Sequence, residues 1–235
     1  MSELNEHGQP VGPVVDGWTP RLAPGPVRLA GRYVTLEPLG PEHAVDLYGA
    51  LGDPASDPLW TYRTTSRPGS PAEMAEQIAA LQDAVGVVPF AVVPTGGTAA
   101  GITTLTRIDV ATGQVEVGGV LYARSLQRTP ATTEATHLLM AHAFDDLGYR
   151  RFEWKCDHLN EPSRRAALRL GFTYEGRFRN HLIVKGRVRH TDWFSLTCED
   201  WPDVRAAHLR WLDPANFDEH GRQRRPLTVA PHTTP

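Results

Sequence analysis

Two cysteines stand in a chain of 235 residues. Cys156 and Cys198 sit in strand patterns and make no metal-ligand spacing, so a reducing cytosolic compartment fits better than a disulfide scaffold. Charge of one sign is also missing. Lysine and arginine number 24 against 27 aspartates and glutamates, a net charge of −3, without the basic excess of a nucleic-acid binder. No segment approaches 18 consecutive apolar residues, and the first residues lack a basic stretch followed by an apolar one. Neither a membrane span nor a signal peptide is therefore expected, and a cytoplasmic location follows.

Prolines and glycines, by contrast, are plentiful and unevenly placed. Prolines at 10, 13, 20, 24 and 26 make residues 1–26 an extended arm, either docked by Trp18 with Val14 and Val15 or left as a mobile tail. Strand patterns cover Leu29 to Pro38, Val88 to Val93, Ala100 to Ile108 and Val115 to Ala123. Apolar residues at helical spacing follow Pro41, and again follow Ser70, Pro71 and Glu73, a capping box predicting a helix that runs to Val85. The glycine-rich PTGGTA (94–99) reads as a hairpin turn, since no GK[ST] follows that would make it a nucleotide loop.

The centre of the chain is Ser125 to Phe144, a polar loop entering an amphipathic helix, set between the strand at 115–123 and a second strand, Arg151 to Asp157. A short helix from Asn160 to Gly171 comes next. Two strands follow, Thr173 to Leu182 and Arg187 to Thr197, and then a helix, Trp201 to Leu212. The order implies a mixed α/β fold with an antiparallel front half. Its expected parts are the arm, a domain over 27–200, and a C-terminal helix and polar tail over 201–235. The basic RQRR at 222–225 has no interleaved aromatics and reads as a solvated tail.

The central loop has chemistry of its own. A helix N-terminus presents bare N–H groups and the positive end of the helix dipole, and Arg128, Thr129, Thr132 and Thr133 add donors beside it. Helix capping by threonine is the plainer alternative. QRTPATTEA (127–135) resembles the acetyl-CoA loop of the GNAT N-acetyltransferases, in particular the RimJ/RimL-type pattern Q-x-x-G-x-A-T-E-A. Gln127, Thr133, Glu134 and Ala135 match, whereas Pro130 replaces a glycine and Thr132 a small residue. NEPSRRAALRLGF (160–172), VEVGGVLY (115–122) and HTDWFSLT (190–197) resemble further segments of the same family, in the same order, over roughly residues 28–200.

That resemblance implies a mostly antiparallel sheet with one splayed parallel pair, flanked by helices. It implies acetyl-CoA as co-substrate without a metal, and acetyl transfer to a primary amine of a peptide or small molecule. Phosphate contacts fall to Gln127, Arg128 and the amides of Thr129, Ala131, Thr132 and Thr133, and pantetheine contacts to Asn160 and Ser163. Glycines inside the strand permit a bulge, so its backbone from Gly119 to Leu121 is expected to polarise the thioester carbonyl. Glu116 is the expected general base and Ser163 the expected donor to the thiolate, against plainer readings as a solvent-facing glutamate and a cap. Trp60 and Tyr62 are the expected acceptor contacts, or packing anchors. A homodimer is compatible with the arm and tail. The rival function is a CoA-binding interaction module without turnover, which Pro130 favours.

Overall fold

The computed structural model describes residues 3–229. Among the described residues are ten strands and five α-helices: β1 (Glu3–Leu4), β2 (Pro10–Val11), β3 (Leu29–Ala30), β4 (Val34–Pro38), α1 (Ala44–Leu51), α2 (Pro71–Gln82), β5 (Val88–Pro94), β6 (Gly101–Asp109), β7 (Gln114–Tyr122), α3 (Pro130–Ala141), β8 (Arg151–Asp157), α4 (Glu161–Arg169), β9 (Thr173–Val184), β10 (Arg187–Thr197) and α5 (Trp201–Leu212); from β3 onward they follow the predicted order, while β1 and β2 pair within the arm, where no strand was expected. Strands β3 to β10 form one sheet in the order β3-β4-β5-β6-β7-β8-β10-β9. Every neighbouring pair is antiparallel except β7 with β8. A parallel pair needs a crossover, and α3 supplies it.

Alternation along the strands gives the sheet two apolar faces. On one, α3 and α5 cover Val115, Val117, Phe152, Trp154 and Phe194; on the other, α1 and α2 cover Ala91, Ile102 and Leu121. Trp201, Val204, Trp211 and Leu212 of α5 belong to the larger core, so this helix, expected beyond the domain at 201, is part of its packing. The arm is docked by Trp18, whose indole N–H donates to the Ala111 carbonyl at 2.7 Å, and by Arg21 stacked over it and donating to the Gly148 carbonyl.

Two local expectations need correction. Helix α2 stops at Gln82, and Val85, read as its last apolar position, is fully exposed. Ser70 caps α2 by accepting the Glu73 N–H, but the Glu73 carboxylate reaches back to the Gly69 N–H, one residue before the cap. Within residues 52–69, expected as a loop or broken helix, Pro54–Trp60 forms a run of 3-10 turns, in keeping with that expectation.

Glu134 shows how tightly α3 is tied to the sheet. Its buried carboxylate accepts the backbone N–H groups of Arg32, Tyr33 and Val34 at 2.9, 2.6 and 3.0 Å. Gly31 leaves room for this, since a Cβ there would overlap the carboxylate.

Candidate active site

Strands β7 and β8 pair only at their start: Gln114 with Arg151, Val115 with Phe152, Glu116 with Glu153 and Val117 with Trp154. Beyond Val117 they diverge. Strand β7 stays with β6 while β8 stays with β10, and a cleft of about 380 Å³ opens between them. The divergence begins at the two glycines. Gly119 has φ +60, and β7 there inserts one extra residue against β6, between the pairs Thr104 with Gly118 and Ile102 with Leu121. A bulge of this kind frees a backbone N–H from its ladder.

Both sides of the cleft carry polar groups that the fold fixes. Glu116 is buried, with the Lys155 ammonium 2.8 Å and the Arg107 guanidinium 3.6 Å from Oε2. Burial raises its pKa above the ordinary carboxylate range, and Lys155 and Arg107 oppose that rise. Across the gap, Asn160 caps α4 by accepting the Ser163 N–H, which sets Ser163 in the first turn. The Ser163 hydroxyl accepts the Trp154 indole N–H at 3.0 Å, so its own proton is free to turn towards the cleft or the neighbouring Cys156. Burial pushes the Cys156 thiol up to about 11.

The loop before α3 presents less than its side chains promised. The Thr129 hydroxyl donates to the Leu126 carbonyl and that of Thr132 to the Thr129 carbonyl, while Thr133 is buried and accepts from Arg169. Gln127 donates to the Tyr122 carbonyl, and the Thr129 N–H is turned to Leu126. The anion-binding capacity therefore lies in the amides of Ala131, Thr132 and Thr133 at the start of α3, and in Arg128, which is exposed at φ +62. Pro130 occupies the first helical position, which its fixed φ suits, and the loop forgoes one amide there.

The two aromatic residues expected against an acceptor lie in different places. Tyr62 lines the cleft and its hydroxyl donates to the Leu159 carbonyl at 3.0 Å. Trp60 does not. It is buried in the core under α1 and α2, its indole N–H donating to the Leu51 carbonyl, so it presents no face to a ligand. The Leu121 side chain is likewise in that core, and only its backbone follows the bulge.

Lys155, Thr104 and Arg63 line the cleft and escaped the sequence reading. The alternation in RFEWKCD put Glu153 and Lys155 on one face, but their approach to Glu116 depends on the β7–β8 register. Among the described residues no group of three or more histidine, cysteine or carboxylate side chains is arranged to hold a metal ion. None of their helices is long and apolar enough to cross a membrane.

A mixed sheet parted at its single parallel pair, with a helix N-terminus beside the gap and a buried carboxylate in it, is the fold of the acyl-CoA-dependent N-acetyltransferases. The chain belongs to the GNAT family: the Acetyltransferase (GNAT) domain model matches residues 34–173. Among solved structures, it is similar to a GCN5-related N-acetyltransferase from Brucella melitensis, at 41% identity and a TM-score of 0.88, covering 91% of this chain and 97% of that one. A probable acetyltransferase of the GNAT family from Chromobacterium violaceum ATCC 12472 is similar at 30% identity and a TM-score of 0.77, covering 83% and 98%. A curated relative from Bacillus subtilis (strain 168), "Putative ribosomal N-acetyltransferase YdaF", is 29% identical over 105 residues. That match covers 45% of this chain and 57% of the relative, so the chain spans little more than half of that protein's length.

Proposed function

We propose that the protein transfers an acetyl group from acetyl-CoA to a primary amine by direct attack within a ternary complex. The observation that carries this reading is the opening of β7 from β8 beyond Val117 and Trp154, with buried Glu116 and the α4 serine both lining it. Acetyl-CoA supplies an activated acyl group: the nitrogen–carbon bond forms, the carbon–sulfur bond breaks, and one proton passes from nitrogen to sulfur.

Each neighbouring residue has a part suited to that change. The amides opening α3, with Arg128, hold the pyrophosphate. The backbone N–H groups of the bulge at Gly119 polarise the thioester carbonyl. Glu116, its carboxyl pKa raised by burial, takes the amine proton directly or through water. Ser163 donates to the departing sulfur. A covalent route through Cys156 is disfavoured, because a thiol held near 11 is protonated at neutral pH and a poor nucleophile. The name of the curated relative, a putative ribosomal N-acetyltransferase, is a reason to try ribosomal proteins among the acceptors.

The test is thiol release from acetyl-CoA with a panel of amines and N-terminal peptides, with products identified by mass. Turnover with at least one acceptor is expected, and tight CoA binding without any turnover sinks the reading in favour of an interaction module. Thr132→Glu places a carboxylate against the pyrophosphate amides and should weaken CoA binding about tenfold or more. Unchanged affinity by calorimetry removes the loop from the assignment.

A further inference from the structure

Arg63 is a charged group of the cleft that the transfer chemistry leaves without a task. Its backbone N–H donates to the Trp60 carbonyl, which ties it to the 3-10 run ending at that residue. The guanidinium makes no hydrogen bond and no ion pair among the described residues, and its Nε is shut off from solvent with no partner. Burial lowers its pKa, although a guanidinium remains charged in such a setting. A half-buried guanidinium whose shielded Nε has no partner carries a desolvation cost that no group among the described residues offsets.

Its position says what relieves it. A Cβ on Gly119 would lie 3.4 Å from Arg63 Nη1 and 3.2 Å from Thr104 Oγ1. A Cβ on Gly118 would lie 3.3 Å from Glu116 Oε1 and 3.4 Å from the same threonine oxygen. A cation and a carboxylate therefore flank the two-glycine bulge, with a hydroxyl between them. The other cations lining the cleft already have partners: Lys155 is held by Glu116, and Arg189 donates its Nε–H to the Thr191 hydroxyl. An acceptor whose ammonium approaches Glu116 thus meets an unneutralised guanidinium beside it.

We propose, on the strength of the acetyl-transfer reading above, that Arg63 receives a carboxylate of the acceptor. The substrate is then an amine carrying a carboxylate close to the reacting nitrogen, as a free amino acid or a peptide with an acidic first residue does. Arg63 is the specificity determinant, because a planar guanidinium binds a carboxylate through two parallel N–H donors and a neutral amide leaves that cation unpaired.

Matched acceptors decide the matter. Initial rates are measured with free amino acids and their α-amides, with peptides beginning in aspartate and in asparagine, and with phosphoethanolamine and ethanolamine. The carboxylate member of one of the first two pairs should be preferred by about tenfold to a hundredfold in kcat/KM, and which pair shows it identifies the source of the carboxylate. Arg63→Gln should abolish that preference with the KM for acetyl-CoA unchanged, and Arg63→Lys should retain part of it. Equal rates across both carboxylate pairs, a preference confined to the phosphate pair, or a rise in the acetyl-CoA KM with the acceptor ratio intact would each overturn the proposal. If no amine is acetylated, the transfer reading fails by itself, and calorimetry on the CoA-saturated protein still tests Arg63. Carboxylate-dependent binding that disappears in Arg63→Gln upholds the contact, and its absence in the wild type refutes it.

Discussion

Glu116 and Lys155 set the acid–base behaviour of the cleft. Burial favours the protonated carboxyl, and the ammonium 2.8 Å away favours the carboxylate. A general base must be deprotonated, so kcat/KM should rise with pH through the Glu116 pKa, along a limb displaced above that of an ordinary glutamate. Lys155→Met removes the opposing charge and should move this limb to still higher pH, whereas an unmoved pH–rate profile would transfer the base role elsewhere. Glu134 is a different kind of buried carboxylate. Its three N–H donors are two from the β3–β4 turn and one from the first residue of β4, and its carboxylate is spent on them. Glu134→Ala should cost about 3 kcal/mol in denaturant unfolding by leaving those groups unpaired, and a loss below about 1 kcal/mol would contradict the latch. The loop motif that suggested CoA thus contains a residue whose contacts here are structural.

The bulge in β7 is a property of an element, since it exists only in the register with β6. Gly119 is there because φ +60 suits glycine, and because a Cβ would crowd Thr104. Gly119→Ala should lower stability by about 1–2 kcal/mol and reduce kcat more than the KM for acetyl-CoA. A fully active Gly119→Ala enzyme would argue that the bulge is not where the carbonyl is polarised. The two glycines and the strand around them are legible in the sequence, but the end of pairing at Val117 and Trp154 is not, because it is fixed by how β8 turns away with β10.

At the scale of the whole molecule, α5 and α3 bury two histidines against each other, His137 and His208, with ring centroids 5.5 Å apart. Burial holds His208 down to about 3 and His137 to about 4. The unfolded chain binds protons at these sites near pH 6.5 while the folded one does not, so stability is complete above that value and is lost as pH falls towards 4. His208 alone should cost about 3 kcal/mol between pH 7 and pH 4. His208→Gln should flatten the acid limb of a melting-temperature profile, and a wild-type profile flat down to pH 4.5 would contradict the burial argument.

Local chemistry decided much of this protein before any packing. Proline and serine at helix starts, apolar alternation in the strands and the glycine pair in β7 were readable because propensity and periodicity act between residues close in the chain. The loop, helix and strand from Ser125 to Asp157 are legible for that reason, whereas Glu116, Asn160 and Ser163, which line the cleft, were suggested by the family resemblance. Tertiary structure decided what depends on neighbours far apart in sequence. Trp60 became core because α1 and α2 close over it, the threonines of the α3 loop turned to carbonyls and to Arg169, and Lys155 met Glu116 across a parallel register. Arg63 belongs to the same group, since its isolation in the cleft comes from the absence of any carboxylate brought beside it among the described residues, and no stretch of sequence encodes that by itself.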